Sequence, residues 1–533
     1  MKRSGIAFNH SKLYLLGLIF VAISLPLSKL AISVSILFLA ANWILEGNFR
    51  QKIVQLRKQK AILIFLGVFG VHLLWLINTT DYTYAFHDLS KKVILIVFPI
   101  IIGTSESVSS QNLHRILKWF WIALLVSTII SGLIFIGAIE LTINRIRDIS
   151  PFMSHIRLSL LVNLGIFTCG YYLLNKTIVK SKVEFWFYGL SIGWFSFFLF
   201  ILKSLTGIVI FMFLAFTILT FISFRIKDIV PRLFLQMGLL TVFLLIASFV
   251  THSISKYYSL DKLIVENLEK TTLSGNKYKH YINDGKIENG HYVWIYVCEK
   301  ELEKEWNKKS IIPYRGKDGA GQDLRVTLVR YLTSKNLKKD SVGVSKLSGN
   351  DIRNIEAGMA NYIYADKFAL YPYMYRIIWE IDTYMKGRNP AGNSITQRFE
   401  YLKTARNIIH NHFWFGVGTG DVQKAFQHQY ETDKSSLPEK YRLRSHNQFV
   451  TFFISFGLVG FIMLFFSMFY PVFYKGEYKN FLLIILLFIA LLSFLSEDTL
   501  ETHVGVTFFS YFYSLFLFGK ERLIKSNDDE KDK

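Results

Sequence analysis

Twelve stretches of this chain are predominantly apolar, roughly 13–25, 30–45, 61–77, 93–102, 120–139, 158–174, 185–202, 205–224, 233–250, 449–473, 481–495 and 504–518. A bilayer's hydrocarbon core is about 30 Å thick, so a helix needs about 20 apolar residues to cross it, and only a helix or closed barrel satisfies its own backbone there. The blocks predict an all-α polytopic membrane protein with about 12 transmembrane helices. The stretches at 13–25 and 93–102 are short, and call for tilt, re-entry or extension by their flanks. A soluble chain of 533 residues would not need 52% hydrophobic residues, nor gather them in such blocks.

The net charge of +22 suggests nucleic acid at first, but much of the excess lies in short connections between apolar blocks. That distribution marks orientation and contact with anionic lipid, so membrane lipid is an expected partner and nucleic acid is not. Arg50, Lys52, Arg57, Lys58 and Lys60 share one connection; Lys176, Lys180 and Lys182 a second; Arg225, Lys227 and Arg232 a third; Lys475 and Lys479 a fourth. With the N-terminus in the cytoplasm, all four fall on the cytoplasmic side. The start, Met1-Lys2-Arg3 followed by an apolar run from Leu13, has the look of a signal peptide. Pro26 and Lys29 lead straight into a second run with no small-residue cleavage pattern, however, and a retained first helix is expected.

The same alternation divides the chain into an N-terminal membrane region at 1–250 with about nine helices, a large outer loop at 251–445, a C-terminal membrane region at 446–519 with about three helices, and a charged cytoplasmic tail at 520–533. Within the loop, helices are expected at 291–306, at 349–364 behind a Ser348 cap with Asp351 in the first turn, and at 394–411. Cys169 sits in an apolar block and Cys298 in the loop, so no disulfide is expected, and the scattered histidines suggest no metal. The run Gly416-Val417-Gly418-Thr419-Gly420 lacks the Lys-Ser/Thr of a phosphate loop and reads as a tight turn after a helix.

The most informative residues stand where the loop returns to the membrane: Arg442, Arg444, His446 and Asn447, then Gly457 and Gly460. If a helix starts just before His446, Gly457 lies about three turns along the same face, and one stripe carries an interfacial histidine above a small-residue groove. Taken alone, His446 reads first as a polar helix start with interfacial preference, and its neighbours are what favour chemistry.

The spacing His446-Asn447, nine residues, Gly457, two residues, Gly460 resembles the ligase pattern of the O-antigen ligase and O-antigen polymerase superfamily, polytopic enzymes that transfer glycans from undecaprenyl carriers outside the cytoplasmic membrane. The segments at 394–422 (SITQRFEYLKTARNIIHNHFWFGVGTGDV), 154–160 (SHIRLSL) and 496–505 (SEDTLETHVG) are similar to forms in Bacteroidetes-type members. The resemblance implies a GT-C-like glycosyltransferase of the bacterial inner membrane with a mainly helical periplasmic loop and no cofactor. It implies an undecaprenyl-pyrophosphate-linked glycan donor and a lipid A-core acceptor in lipopolysaccharide biosynthesis, or, in a polymerase or protein O-oligosaccharyltransferase, a growing glycan or a protein. Oligomeric state stays open. Many members carry Ser-Arg-Gly at a middle helix start where this chain has Ser204-Leu205-Thr206-Gly207, leaving Arg157 or Lys203 to stand in for that arginine.

Displacing undecaprenyl pyrophosphate by a sugar hydroxyl needs cations on the leaving group and a base near the acceptor. His446 is the candidate base, and Arg157, Arg398 and Arg444 are the candidate pyrophosphate ligands, with Asn447, Glu497 and Asp498 in support. Arg157 opens an apolar span, where charge is costly. Arg398 reads equally as the partner of Glu400 or another loop carboxylate and Arg444 as a lipid-headgroup contact, while Glu497, Asp498 and His503 read first as a polar turn between the last two spans. A lipid-linked saccharide transporter is the alternative of another class, although the sequence lacks the paired interrupted helices of repeat-built transporters.

Overall fold

The computed structural model describes residues 9–140, 149–175, 181–260, 268–366 and 369–519. The tail at 520–533, the Met1-Lys2-Arg3 start, Lys176 and Lys180 lie outside them. Among the described residues the chain is helical apart from small β elements, chiefly an antiparallel pair, Ile287–Glu288 with His291–Tyr292. Among the described residues, eight helices are long and apolar enough to cross a bilayer: His10–Leu27, Lys60–Asn78, Ser110–Phe135, His155–Leu174, Lys182–Leu202, Leu205–Ser223, Ile229–Tyr258 and Gln448–Tyr474. A ninth is counted if Lys29–Leu45 and Phe49–Lys58, bent by 108°, form one span. The apolar blocks at 93–102, 481–495 and 504–518 become helices of 11, 14 and 15 residues: Ile94–Thr104, Phe481–Phe494 and His503–Leu517. The chain is a multi-pass membrane protein.

Two compact units divide it: Met1–Ile222 with Gln397–Lys533, and Ser223–Thr396. The first is built on a continuous apolar core that includes Leu18, Phe65, Phe98, Phe120 and Phe509. Its outward faces are apolar too, as at Phe197 and Phe213, which is the pattern of a surface solvated by lipid tails. The segment after Gln397, expected as the end of the outer loop, belongs to this unit.

The expected stripe from His446 to Gly457 does not form. The helix begins at Gln448 with Asn447 as its N-cap, the Asn447 side chain accepting from the Val450 N–H at 3.1 Å, and His446 stands before it with a left-handed φ of 50°. Ten residues on, Gly457 (φ 61°, ψ −171°) interrupts the helix. That conformation is essentially reserved for glycine. The break separates the carbonyls of Ile454 and Ser455 from the N–H groups of Leu458 and Val459, which a straight helix would pair.

Residues 413–418, the Gly-rich turn, fill the gap. Leu458 N donates to Phe413 O at 2.8 Å and Val459 N to Trp414 O at 3.2 Å, while Val417 N and Gly418 N donate to Ile454 O and Ser455 O at 2.8 and 2.9 Å. Two further carbonyls of the insert are taken by side chains of the Lys60–Asn78 span: Trp75 Nε1 reaches Phe415 O at 2.6 Å and Asn78 Nδ2 reaches Gly416 O at 2.9 Å. Every displaced backbone group is paired again, as a low-dielectric setting demands. The glycines make the approach possible: a Cβ on Gly457 would lie 2.3 Å from Trp414 C, and one on Gly416 2.5 Å from Ser455 O.

The second unit packs Trp306, Leu328, Tyr331 and Leu332 into a separate core. The helix expected at 291–306 starts only at Glu299, because Val297 pairs with Lys279 through two backbone hydrogen bonds and Tyr296 takes a φ of 55°. The helix expected at 349–364 carries the Ser348–Asp351 capping box but stops at Glu356, ahead of Gly358 at φ 89°. The helix expected at 394–411 runs Thr396–Asn411. Both cysteines are free thiols.

Gly457→Ala is expected to cost about 2 kcal/mol or more, since it adds a glycine-only backbone conformation to a direct clash. Thermal unfolding of the detergent-purified protein reads this as a drop of several degrees in Tm; an unchanged Tm would mean that the insert can withdraw without loss.

Candidate active site

His446 is half-buried, its left-handed backbone turning the chain between the outer segment and the Gln448–Tyr474 helix. Such φ values are uncommon outside glycine, and here the turn is held on both sides. Ser445 Oγ lies 3.2 Å from Asn447 O, and Asn447 Nδ2 donates to Leu495 O at 3.0 Å, tying the turn to the connection between the last two apolar helices. The Tyr401 ring, from the Thr396–Asn411 helix, stands 5.8 Å from the imidazole. Among the described residues neither ring nitrogen of His446 has a hydrogen-bond partner.

Burial lowers the pKa of His446; Glu497 opposes that shift, and Arg398, Arg444 and Arg157 add to it. The outcome is an imidazole below 6.5, neutral and able to accept a proton at neutral pH.

Two chains of charge converge here. In the first, the Glu497 carboxylate lies between two guanidinium groups, 3.1 Å from Arg398 Nη2 and 3.8 Å from Arg157 Nη1. Arg157 also donates from Nε to Thr502 Oγ1 at 3.1 Å and from Nη2 to Asp498 O at 3.2 Å, leaving its buried Nη1 without a hydrogen-bond acceptor. Arg398 thus pairs with Glu497, a carboxylate between the last two apolar helices and not one of the loop. Asp498 turns its carboxylate to Thr451 Oγ1 at 2.7 Å, and burial raises its pKa against the pull of Arg444.

The second chain is Asp88–Lys92–Glu501–Arg444. Lys92 pairs with Asp88 and, at 2.9 Å, with Glu501, whose other oxygen is 3.6 Å from Arg444 Nη1. Gln448 clamps the junction, donating to Glu501 at 3.2 Å and accepting from Leu500 N at 2.7 Å. Burial opposes the Glu501 charge, but Lys92 and Arg444 prevail and hold its pKa down. Burial likewise opposes the charge on Arg444, which Glu501 and Asp498 restore.

The structure therefore brings His446, Arg157, Arg398, Arg444, Asn447, Glu497 and Asp498 into one region of the first unit. The 204–207 segment reaches the same place: Thr206 Oγ1 is 2.9 Å from Ser496 Oγ, and Asn163 donates to Gly207 O at 3.0 Å from the helix that carries Arg157. Sequence reasoning missed Glu501, Lys92, Asp88, Gln448 and Tyr401. Lys92 had a signal, as a cation directly preceding an apolar block, and Glu501 had one in its place beside Glu497 and Asp498. Their meeting across 409 residues had none.

Residues 357–465 match the O-antigen ligase family. The match spans both compact units and includes the Thr396–Asn411 helix, the 413–418 insert, Arg398, Arg444, His446 and Gly457. It supports membership of the O-antigen ligase and polymerase superfamily, whose members act as glycosyltransferases on lipid-linked glycans. The comparison with curated proteins gives no match.

Lys92, Glu501 and Arg444 are buried together, so neutralising one leaves its partners uncompensated. Glu501→Gln is expected to destabilise the protein by roughly 3 kcal/mol, seen as a lower Tm. A variant that melts with the native protein would show that this chain contributes nothing to holding the His446 turn.

Proposed function

We propose that this protein is an O-antigen ligase of the bacterial inner membrane, transferring a glycan from undecaprenyl pyrophosphate to lipid A-core without a metal. The observation that carries this reading is the neutral, unbonded imidazole of His446 set among Arg157, Arg398 and Arg444. In the proposed reaction His446 accepts the proton of the acceptor hydroxyl as its oxygen attacks the anomeric carbon. The bond from that carbon to the pyrophosphate oxygen breaks, its electron pair leaves with the pyrophosphate, and the sugar carbon inverts. Charge builds on the leaving group, and arginines stabilise it best because their planar fork can bind phosphate oxygens bidentately.

The pairing of Arg157 and Arg398 on Glu497 supports their assignment to the donor, because two guanidinium groups converging on one carboxylate are already spaced for an anion. The unsatisfied Nη1 of Arg157 is a donor available to a further oxygen. Arg444 stands on the opposite charge chain, and in this reading grips the pyrophosphate from the other side of His446. Asn447 and Asp498 hold the His446 turn and the Thr451 hydroxyl in place. The positive-inside distribution supports a multi-pass orientation with both termini cytoplasmic and the large loop periplasmic, which puts the reaction on the outer side.

His446→Ala is expected to abolish transfer from purified lipid-linked donor while leaving membrane insertion and Tm intact; retained transfer would remove His446 from the mechanism. Arg157→Ala and Arg398→Ala are expected to raise the KM for donor at least tenfold, with partial recovery at high donor concentration. Activity needs the unprotonated imidazole, so it is full above the His446 pKa and lost below it. The acid limb of the kcat/KM profile is expected to have its midpoint below that of a free imidazole, and a midpoint above that would assign the proton to another group. The acceptor is read from a deletion strain: bare lipid A-core indicates the ligase, a single repeat unit on core the polymerase, and normal banding with loss of a glycoprotein the protein-glycosylating relative.

A further inference from the structure

The Ser223–Thr396 unit holds a cavity of about 320 Å³, within the range of small-ligand sites. It belongs wholly to this unit and shares no residue with the His446 region. One wall is a face of the Tyr371–Met385 helix, where Tyr375, Trp379 and Thr383 follow at four-residue steps with Asp382 alongside. Tyr257 packs edge-on to Tyr375 at 5.1 Å, and Trp379 remains 36% exposed. Trp294, also in the lining, has a buried indole N–H with no hydrogen-bond partner, while the Arg325 guanidinium covers its ring at 5.3 Å.

Aromatic rings with polar groups around them suit a saccharide, whose rings offer apolar C–H faces and a rim of hydroxyls. The charge adds a second requirement. Among the described lining residues, Arg330, Lys386 and Arg388 face two carboxylates, Glu288 and Asp382. Both carboxylates are already engaged: Glu288 by Arg330 at 2.5 Å and Asn361 at 2.9 Å, Asp382 by Lys386 at 2.7 Å and Tyr257 at 3.1 Å. Arg388 is left over from those pairs, so a neutral sugar leaves its charge unused and an acidic or phosphorylated one completes it.

We propose that this cavity is a binding site for an anionic saccharide, separate from the transfer site. Trp379 supplies the stacking surface, and Lys386 and Arg388 bind the carboxylate or phosphate. The choice of probes rests on the ligase reading above, in which such a saccharide comes either from the acceptor core or from the donor glycan.

The test is calorimetric binding to the full chain in nanodiscs, using core oligosaccharide released by mild acid, the same material after dephosphorylation, the glycan cut from the lipid carrier, and maltohexaose. Core oligosaccharide or carrier glycan is expected to bind, and which of the two binds identifies the source. Dephosphorylated core, if core is the ligand, and maltohexaose are expected to bind at least tenfold more weakly. Trp379→Ala and the double variant Lys386→Gln/Arg388→Gln are expected to raise Kd at least tenfold with Tm unchanged, Trp379→Phe to restore binding, and His446→Ala to bind as the native chain does. Failure of both saccharides to bind, equal binding of maltohexaose, or native affinity in the Trp379→Ala and double variants would overturn the site. Because binding is measured without transfer, a chain that transfers normally but binds neither saccharide defeats this proposal alone, and one that binds but never transfers defeats the ligase reading alone.

Discussion

The structure around the active region depends on a broken helix that is repaired by a foreign segment. In a bilayer or its interface an unpaired backbone group costs several kcal/mol, so a break at Gly457 survives only if something else supplies the missing partners. The 413–418 insert does so on both sides of the gap, offering carbonyls to Leu458 and Val459 and N–H groups to Ile454 and Ser455. The arrangement joins the end of the Thr396–Asn411 helix to the Gln448–Tyr474 span. Arg398 and Tyr401, which that first helix carries, are thereby held near His446, which precedes the span.

Around that frame the charges are arranged in alternation. Arg398, Glu497 and Arg157 form one chain, Asp88, Lys92, Glu501 and Arg444 the other, and cations of both act on the His446 imidazole. All but Arg398, whose side chain is 36% exposed, are largely buried at a desolvation cost, and sharing a carboxylate between two cations spreads it. The same sharing positions three guanidinium groups before any substrate arrives. It also leaves the imidazole in cationic surroundings, which, with burial, keep it unprotonated.

The apolar blocks were legible because their signal is local: length and composition alone separate a span from a loop, and the two helices drawn too long, at 291–298 and 357–364, fall in the polar unit where periodicity is weakest. The candidate residues His446, Arg157, Arg398, Glu497 and Asp498 were legible as chemistry, by type and place at span ends, but not as partners. Whether Arg398 faces Glu400 or Glu497 depends on contacts 99 residues apart. The stripe from His446 to Gly457 failed for a related reason. Helical spacing assumes an unbroken helix, and what breaks it is a segment forty residues upstream that periodicity cannot see.

The pattern His446-Asn447, Gly457, Gly460 then separates into four different physical tasks. His446 alone has free ring nitrogens for chemistry. Asn447 caps the helix and ties it to Leu495. Gly457 takes the backbone conformation at the break and lets Trp414 and Phe415 approach. Gly460 makes room for the Trp75 ring, since a Cβ there would lie 2.7 Å from Trp75 Cζ2, and that same indole caps Phe415 O in the insert. The glycines therefore act on His446 only through the backbone that carries it, and a substitution at either should disturb folding before it disturbs proton transfer.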